Sequence, residues 1–244
     1  NRVPPDFAPN RVIDAAGCIV LPGLVDLAAR LREPGHEHEG MLESEMAAAV
    51  AGGVTSLVCP PDTDPVLDEP GLVEMLCYRA KKLNRAHVYP VGALTIGLKG
   101  QQLSEMAELV EAGCVAFSQA NTPILDTRVL GRAMQYAATF GFRVWLQPID
   151  PHLSRGGVAH DGDVASRLGL AGIPVCAETV AIATALQLAA LRGVEPEVRP
   201  GMPALYRNLS VEGSSEVVGR PLDSGDVYAF DMRGVGGGWL ALQR

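Results

Sequence analysis

What most restricts the fold of this chain is a rhythm. Apolar runs rich in β-branched residues recur about every 30 residues, each followed by a stretch with helical periodicity. The runs lie at Ile19–Leu27, Val54–Cys59, Val88–Leu94, Cys114–Ser118 and Arg143–Gln147. Between them, Leu42–Ala51, Asp68–Leu83, Leu103–Ala112 and Thr127–Phe140 have the spacing of amphipathic helices, and Ala177–Leu191 follows as another. Strands alternating with helices build a parallel sheet, so the expected class is α/β. Five such units make a little over half of an eight-unit barrel, and an open doubly wound sheet fits the same rhythm. After Gly193 the character changes. Glu195–Arg199 and Arg207–Arg220 are rich in Pro, Gly, Ser and charge, while Val227–Phe230 and Trp239–Leu242 read as short strands. A piece of a larger fold and a chain with segments missing account for this equally well.

Charge and cysteine placement narrow the function classes. A net charge of −8 without Lys or Arg clusters argues against nucleic acid and anionic membrane as partners. No apolar run approaches the ~18 residues of a membrane span, and residues 1–10 lack a basic start followed by an apolar stretch, so a cytoplasmic protein is expected. The five cysteines are scattered, with no Cys-x-x-Cys, which speaks against a zinc ribbon or disulfide framework. The Gly236-Gly-Gly238 run has no following helix or Lys-Ser/Thr, so it reads as a linker rather than a phosphate loop.

The segment Leu21-Pro-Gly-Leu-Val-Asp-Leu-Ala-Ala-Arg-Leu-Arg-Glu-Pro-Gly35 resembles the first barrel strand of dihydroorotases, the cyclic amidohydrolases of pyrimidine synthesis. The family pattern there is Pro-Gly-x-x-Asp-x-His-x-His-x-Arg-Glu-Pro-Gly, and everything is kept except the two histidines. Ala28 and Arg30 stand in their places. The likeness continues through Gly52-Gly-Val-Thr55, Pro60-Pro-Asp-Thr-Asp-Pro65, Ala116-Phe-Ser118 and Leu168-Gly-Leu-Ala-Gly-Ile-Pro174 with Ala177-Glu178. It implies a (β/α)8 TIM-type amidohydrolase barrel, incomplete in this chain, flanked by a small β-sandwich. The implied division is a sandwich remnant over 1–18, barrel units over 19–193, and remaining barrel and sandwich pieces over 194–244.

Members of that family hold zinc at the C-terminal rim of the barrel, where the cation lowers the pKa of a bound water that attacks the ring amide. His-x-His on a strand points both imidazoles to one face. Ala28 has no donor atom, and Arg30 is a fixed cation that would repel zinc. The resemblance puts an acidic pair after the fourth strand, where this chain has Gln119 and Ala120, and a histidine at the end of the fifth, where it has Gln147. A family asparagine that contacts substrate matches Asp62. Arg32 matches a residue that helps bind the substrate carboxylate. No bound zinc, no other cofactor and no catalytic residue are therefore expected.

His36 and His38 form the only His-x-His, but the charges around them point to an exposed loop rather than a relocated metal site. His87 at the start of a strand, and His152 and His160 in a Gly-rich loop, read as surface or capping residues. An arginine aimed into a barrel mouth needs a partner or water, and Asp62 at the end of the next strand is the candidate for Arg30. Trp145 shares the face of Gln147 and is expected to fill the barrel interior below it.

The expectation is a non-catalytic dihydroorotase-like protein. The resemblance supplies its form: an inactive chain that associates with aspartate carbamoyltransferase in an oligomeric assembly. A metal-dependent cyclic amidohydrolase with an unusual site, and a sensor that binds a carboxylate through Arg32, are the competing readings.

Overall fold

The computed structural model describes residue 10, residues 12–191 and the backbone of residues 240–242. The expectations for residues 1–9 and for most of the stretch after Gly193 lie outside the described residues. Strands β1 (Leu24–Asp26), β2 (Val54–Cys59), β3 (His87–Ala93), β4 (Ala116–Ser118) and β5 (Val144–Leu146) lie side by side in chain order, all parallel. Helices α1 (Leu42–Ala51), α2 (Pro70–Leu83), α3 (Met106–Glu111) and α4 (Thr127–Phe140) connect them. A doubly wound sheet reverses its strand order at a switch point, whereas a barrel adds each strand next to the previous one. The observed order is that of a barrel segment.

Strand alternation sorts the side chains into two layers. Leu57, Cys59, Phe117, Val144 and Leu146 point outward into one core with Met46, Val73, Leu76, Leu130 and Met134 of the helices. Their neighbours Val58, Val91 and Ala116 face the opposite way and form a separate cluster with Leu27 and Trp145. This second cluster is the barrel interior, and Trp145 fills it as the sequence suggested.

Local chemistry fixes the helix ends. Asp126 accepts a bond from the Arg128 amide at 2.8 Å to start α4, and Gly141 ends it with φ 71°, a conformation open to glycine at little cost. Leu130, Ala133, Met134 and Ala137, spaced three and four apart, are its buried stripe. Pro70 opens α2 at the first turn, where its missing N–H costs nothing, so this helix begins two residues later than Asp68. Asp68 instead accepts a 2.6 Å bond from the Gly97 amide.

Several further boundaries differ from expectation. The first strand is only Leu24–Asp26, because Ile19, Val20 and Leu21 are exposed and meet no neighbouring strand among the described residues. Helix α3 begins at Met106 rather than Leu103: Leu103 bridges to Thr95, and the Ser104 hydroxyl donates to the Ala93 carbonyl. His160 is not in a loop. It ends β6 (Ala159–His160), which pairs in parallel with β7 (Gly172–Ile173) across the short helix α5 (Asp163–Leu168). Helix α6 (Cys176–Leu191) follows, one residue longer than expected. Finally β8 (Leu240–Leu242), within the expected Trp239–Leu242, pairs antiparallel with β5.

Candidate functional site at the strand ends

The C-terminal ends of β1 and β2 open on a cleft of about 200 Å³ whose lining includes Arg30, Arg32, His36, Cys59, Asp62 and Thr63. Arg30 reaches across it to Asp62, its Nε donating to Oδ2 at 2.9 Å, with both side chains about one-quarter exposed. The ion pair expected from the sequence is present. Nη2 of the same guanidinium is buried and meets no acceptor among the described residues. Ala28, two residues earlier on the same face, offers only a methyl group, and its amide donates to the Asp26 carboxylate at 3.0 Å.

Much of the preserved motif is used by the fold itself. Glu33 is 2% exposed; one carboxylate oxygen accepts the Leu42 amide at the start of α1, and the other pairs with Arg79 of α2. Its negative charge at a helix N-terminus is favourable. Gly35, with φ 100°, lies so close to Asp64 that a Cβ would collide with its backbone, and the Asp64 amide bonds to the Pro34 carbonyl at 3.2 Å. The Pro34-Gly35 segment and the Asp62–Pro65 turn thus clasp each other.

Arg32 has a positive φ of 64° and its Nη1 lies 3.0 Å from Glu39, so its guanidinium is already engaged by a carboxylate of this chain. Cys59 ends β2 beside the cleft with its side chain buried in the outer core. Burial is the main cause that pushes its thiol up to about 12, helped by the nearby Asp62 charge, and this leaves it protonated and unsuited to nucleophilic attack near neutral pH.

The other sequence-predicted positions are bound into the fold. Gln119 is buried; its Nε2 donates to the Thr95 hydroxyl at 2.8 Å, and that oxygen also accepts the Gly100 amide at 2.9 Å. Ala120, with φ 49°, packs with Ala93, Leu98 and Val66 in a small apolar cluster. Gln147 is half-buried, and its Oε1 has no partner among the described residues. Two methyl groups, a paired guanidinium and two amides do not make a donor set for zinc, which selects imidazole, thiolate and carboxylate.

His36 is a correction to the exposed-loop expectation, being half-buried in the cleft lining, whereas His38 is exposed. The ligating atoms of His36, His38 and Glu39 lie within 4.8 Å of one another. A cation there would compete with Arg32 for the Glu39 carboxylate. Sequence reasoning missed Glu33, Thr95 and Cys59. Only Glu33 left a signal, an acidic residue kept between Arg32 and Pro34.

The dihydro-orotase-like family model matches residues 17–198. A dihydroorotase-like protein of Pseudomonas aeruginosa is 50% identical over 191 residues, covering 78% of this chain and 45% of the relative. A dihydroorotase of Pelobacter propionicus is 45% identical over 178 residues, 73% of this chain and 42% of its own length. The chain therefore spans about half the length of the curated relatives it matches. Among solved structures, an L-hydantoinase (dihydropyrimidinase) from Arthrobacter aurescens superposes with a TM-score of 0.59 at 22% identity, covering 78% of this chain and 44% of that one. At that identity the likeness establishes the shared barrel fold. By family model, sequence identity and fold together, the chain belongs to the dihydro-orotase-like family.

Proposed function

We propose that this chain is a non-catalytic dihydroorotase-like protein of pyrimidine biosynthesis, serving as a structural or regulatory subunit for aspartate carbamoyltransferase. The observation that carries the reading is the Arg30–Asp62 ion pair. It fills the strand end that the resemblance gives to a histidine and a metal, and a guanidinium, always protonated, offers no lone pair to hold one. Ala28, Gln119, Ala120 and Gln147 support it, since ligands act as a set and no single replacement would rebuild the site. With its chemistry gone, the scaffold still offers shape and patterned charge, enough for an interface of roughly 1,200–2,000 Å².

The test is co-expression with aspartate carbamoyltransferase of the same organism, followed by size exclusion with light scattering. A co-eluting complex is the expected result. Two species that elute independently at micromolar concentration, with the transcarbamoylase fully active alone, would remove the proposal.

A second reading, a metal-dependent cyclic amidohydrolase with an unusual site, draws on the convergence of His36, His38 and Glu39. Its signature would be dihydroorotate turnover that rises with added zinc.

A further inference from the structure

We propose that the groove between α3 and α4, on the outer face of the barrel segment, is a self-association surface that pairs with the same groove of a second copy of this chain. This goes beyond the subunit reading and stands whether or not aspartate carbamoyltransferase binds.

Three observations carry it. First, a run of aromatic rings leads from the core to the surface at this groove. Fully buried Phe117 packs on Phe142 with ring centroids 5.5 Å apart, Phe142 stacks on Phe140 at 5.4 Å, and Phe140 meets Tyr136 edge-on at 5.2 Å. Phe140 is nonetheless 56% exposed. A large ring already held by its neighbours loses little freedom on docking, and aromatic side chains of this kind anchor interfaces.

Second, the two walls of the groove are in register. Both helices run against the parallel strands and so lie parallel to each other, and the Ala107 amide donates to the Tyr136 hydroxyl at 3.4 Å. About one turn further along, the exposed Val110 comes level with Phe140, which gives the groove an apolar floor.

Third, the rims carry opposite charges that the fold leaves unpaired. Glu108 and Glu111 are exposed on α3, Arg128 and Arg132 are exposed on α4, and none of the four has an ion-pair partner among the described residues. A two-fold axis that lies in the interface and runs along the groove turns the acidic rim of one copy onto the basic rim of the other, and the apolar floor onto itself. A patch of one sign would repel its own copy, whereas this one is complementary to itself.

Sedimentation velocity of the full chain, from below micromolar to tens of micromolar, measures the association. The expected parent is a reversible dimer that weakens as salt rises, because the rim charges are screened. Phe140→Ser should weaken it at least tenfold. So should each of two charge reversals, Arg128→Glu with Arg132→Glu, and Glu108→Arg with Glu111→Arg. The first makes both rims acidic and the second makes both basic, so an equimolar mixture should form a heterodimer at least tenfold tighter than either protein with itself. Misfolding does not produce such a gain, and the Phe140→Ser arm decides if a reversed protein fails to fold.

A parent that stays monomeric over this range would overturn the proposal, whatever else covers the groove. A dimer left intact by Phe140→Ser and by both reversals, or a mixture that associates no better than its components, would do the same. Independent elution of the transcarbamoylase removes the subunit reading alone.

Discussion

Arg30 decides most at the scale of single residues, because one side chain stands where the resemblance puts a metal ligand and sets a fixed charge there. Its partner was legible from the sequence: parallel neighbours end at the same rim, so a charge leaving β1 meets one leaving β2, and Asp62 lies 2.9 Å away. Gln119 was legible only as a replaced ligand. Its partner Thr95 lies 24 residues away in an irregular turn, where no periodicity points to it. If the site is lost as a set, the double substitution Ala28→His and Arg30→His should yield no dihydroorotate hydrolysis above a blank, since the residues at 119, 120 and 147 still supply no imidazole or carboxylate. Measurable turnover by that variant would mean that the strand ends are differently used. Glu33 has the opposite character, kept for the fold. Glu33→Ala should cost about 1–3 kcal/mol by stripping the α1 amide and Arg79 of their acceptor, seen as a lower urea midpoint with an unchanged slope.

Periodicity located the longer elements well and the shorter ones poorly. Val54–Cys59, Leu42–Ala51 and Thr127–Phe140 lie where the sequence put them, because each is long enough to show a full hydrophobic period. The two-residue strands Ala159–His160 and Gly172–Ile173 are shorter than any period and are held by pairing between segments, so they read as loop. Ile19–Leu21 has strand composition but lacks a strand beside it among the described residues, and composition alone does not make a strand. Close packing between sheet and helices also gives one glycine a role the sequence did not reveal. At Gly92 on β3 a Cβ would lie 2.7 Å from the Phe117 ring and 3.2 Å from Leu109. Because Phe117 is fully buried, Gly92→Ala should destabilise the protein by about 1–3 kcal/mol through overpacking. A thermal midpoint equal to that of the parent would show that the ring has room to turn away.

The described residues form a barrel segment with an apolar layer between sheet and helices and the Arg30–Asp62 ion pair at the strand ends. Burial also governs its thiols. Cys18 and Cys176 are exposed, whereas burial pushes both Cys59 and Cys114 up to about 12. A thiolate-specific reagent at pH 8 should modify two cysteines quickly and reach Cys59 and Cys114 only after denaturation, as peptide mass mapping would record. Rapid modification of Cys59 in the native protein would mean that the core between sheet and helices opens. Among the described residues no helix is long and apolar enough to cross a membrane. The family and the barrel were legible because the motif flanks carry structural duties at Glu33 and Gly35. The cleft itself was not, since its lining comes from side-chain directions that spacing alone does not give. If these strand ends hold no metal, elemental analysis of zinc in the purified, dialysed chain is the most direct test. Zinc far below one ion per chain is the predicted result; about one ion or more per chain would contradict it.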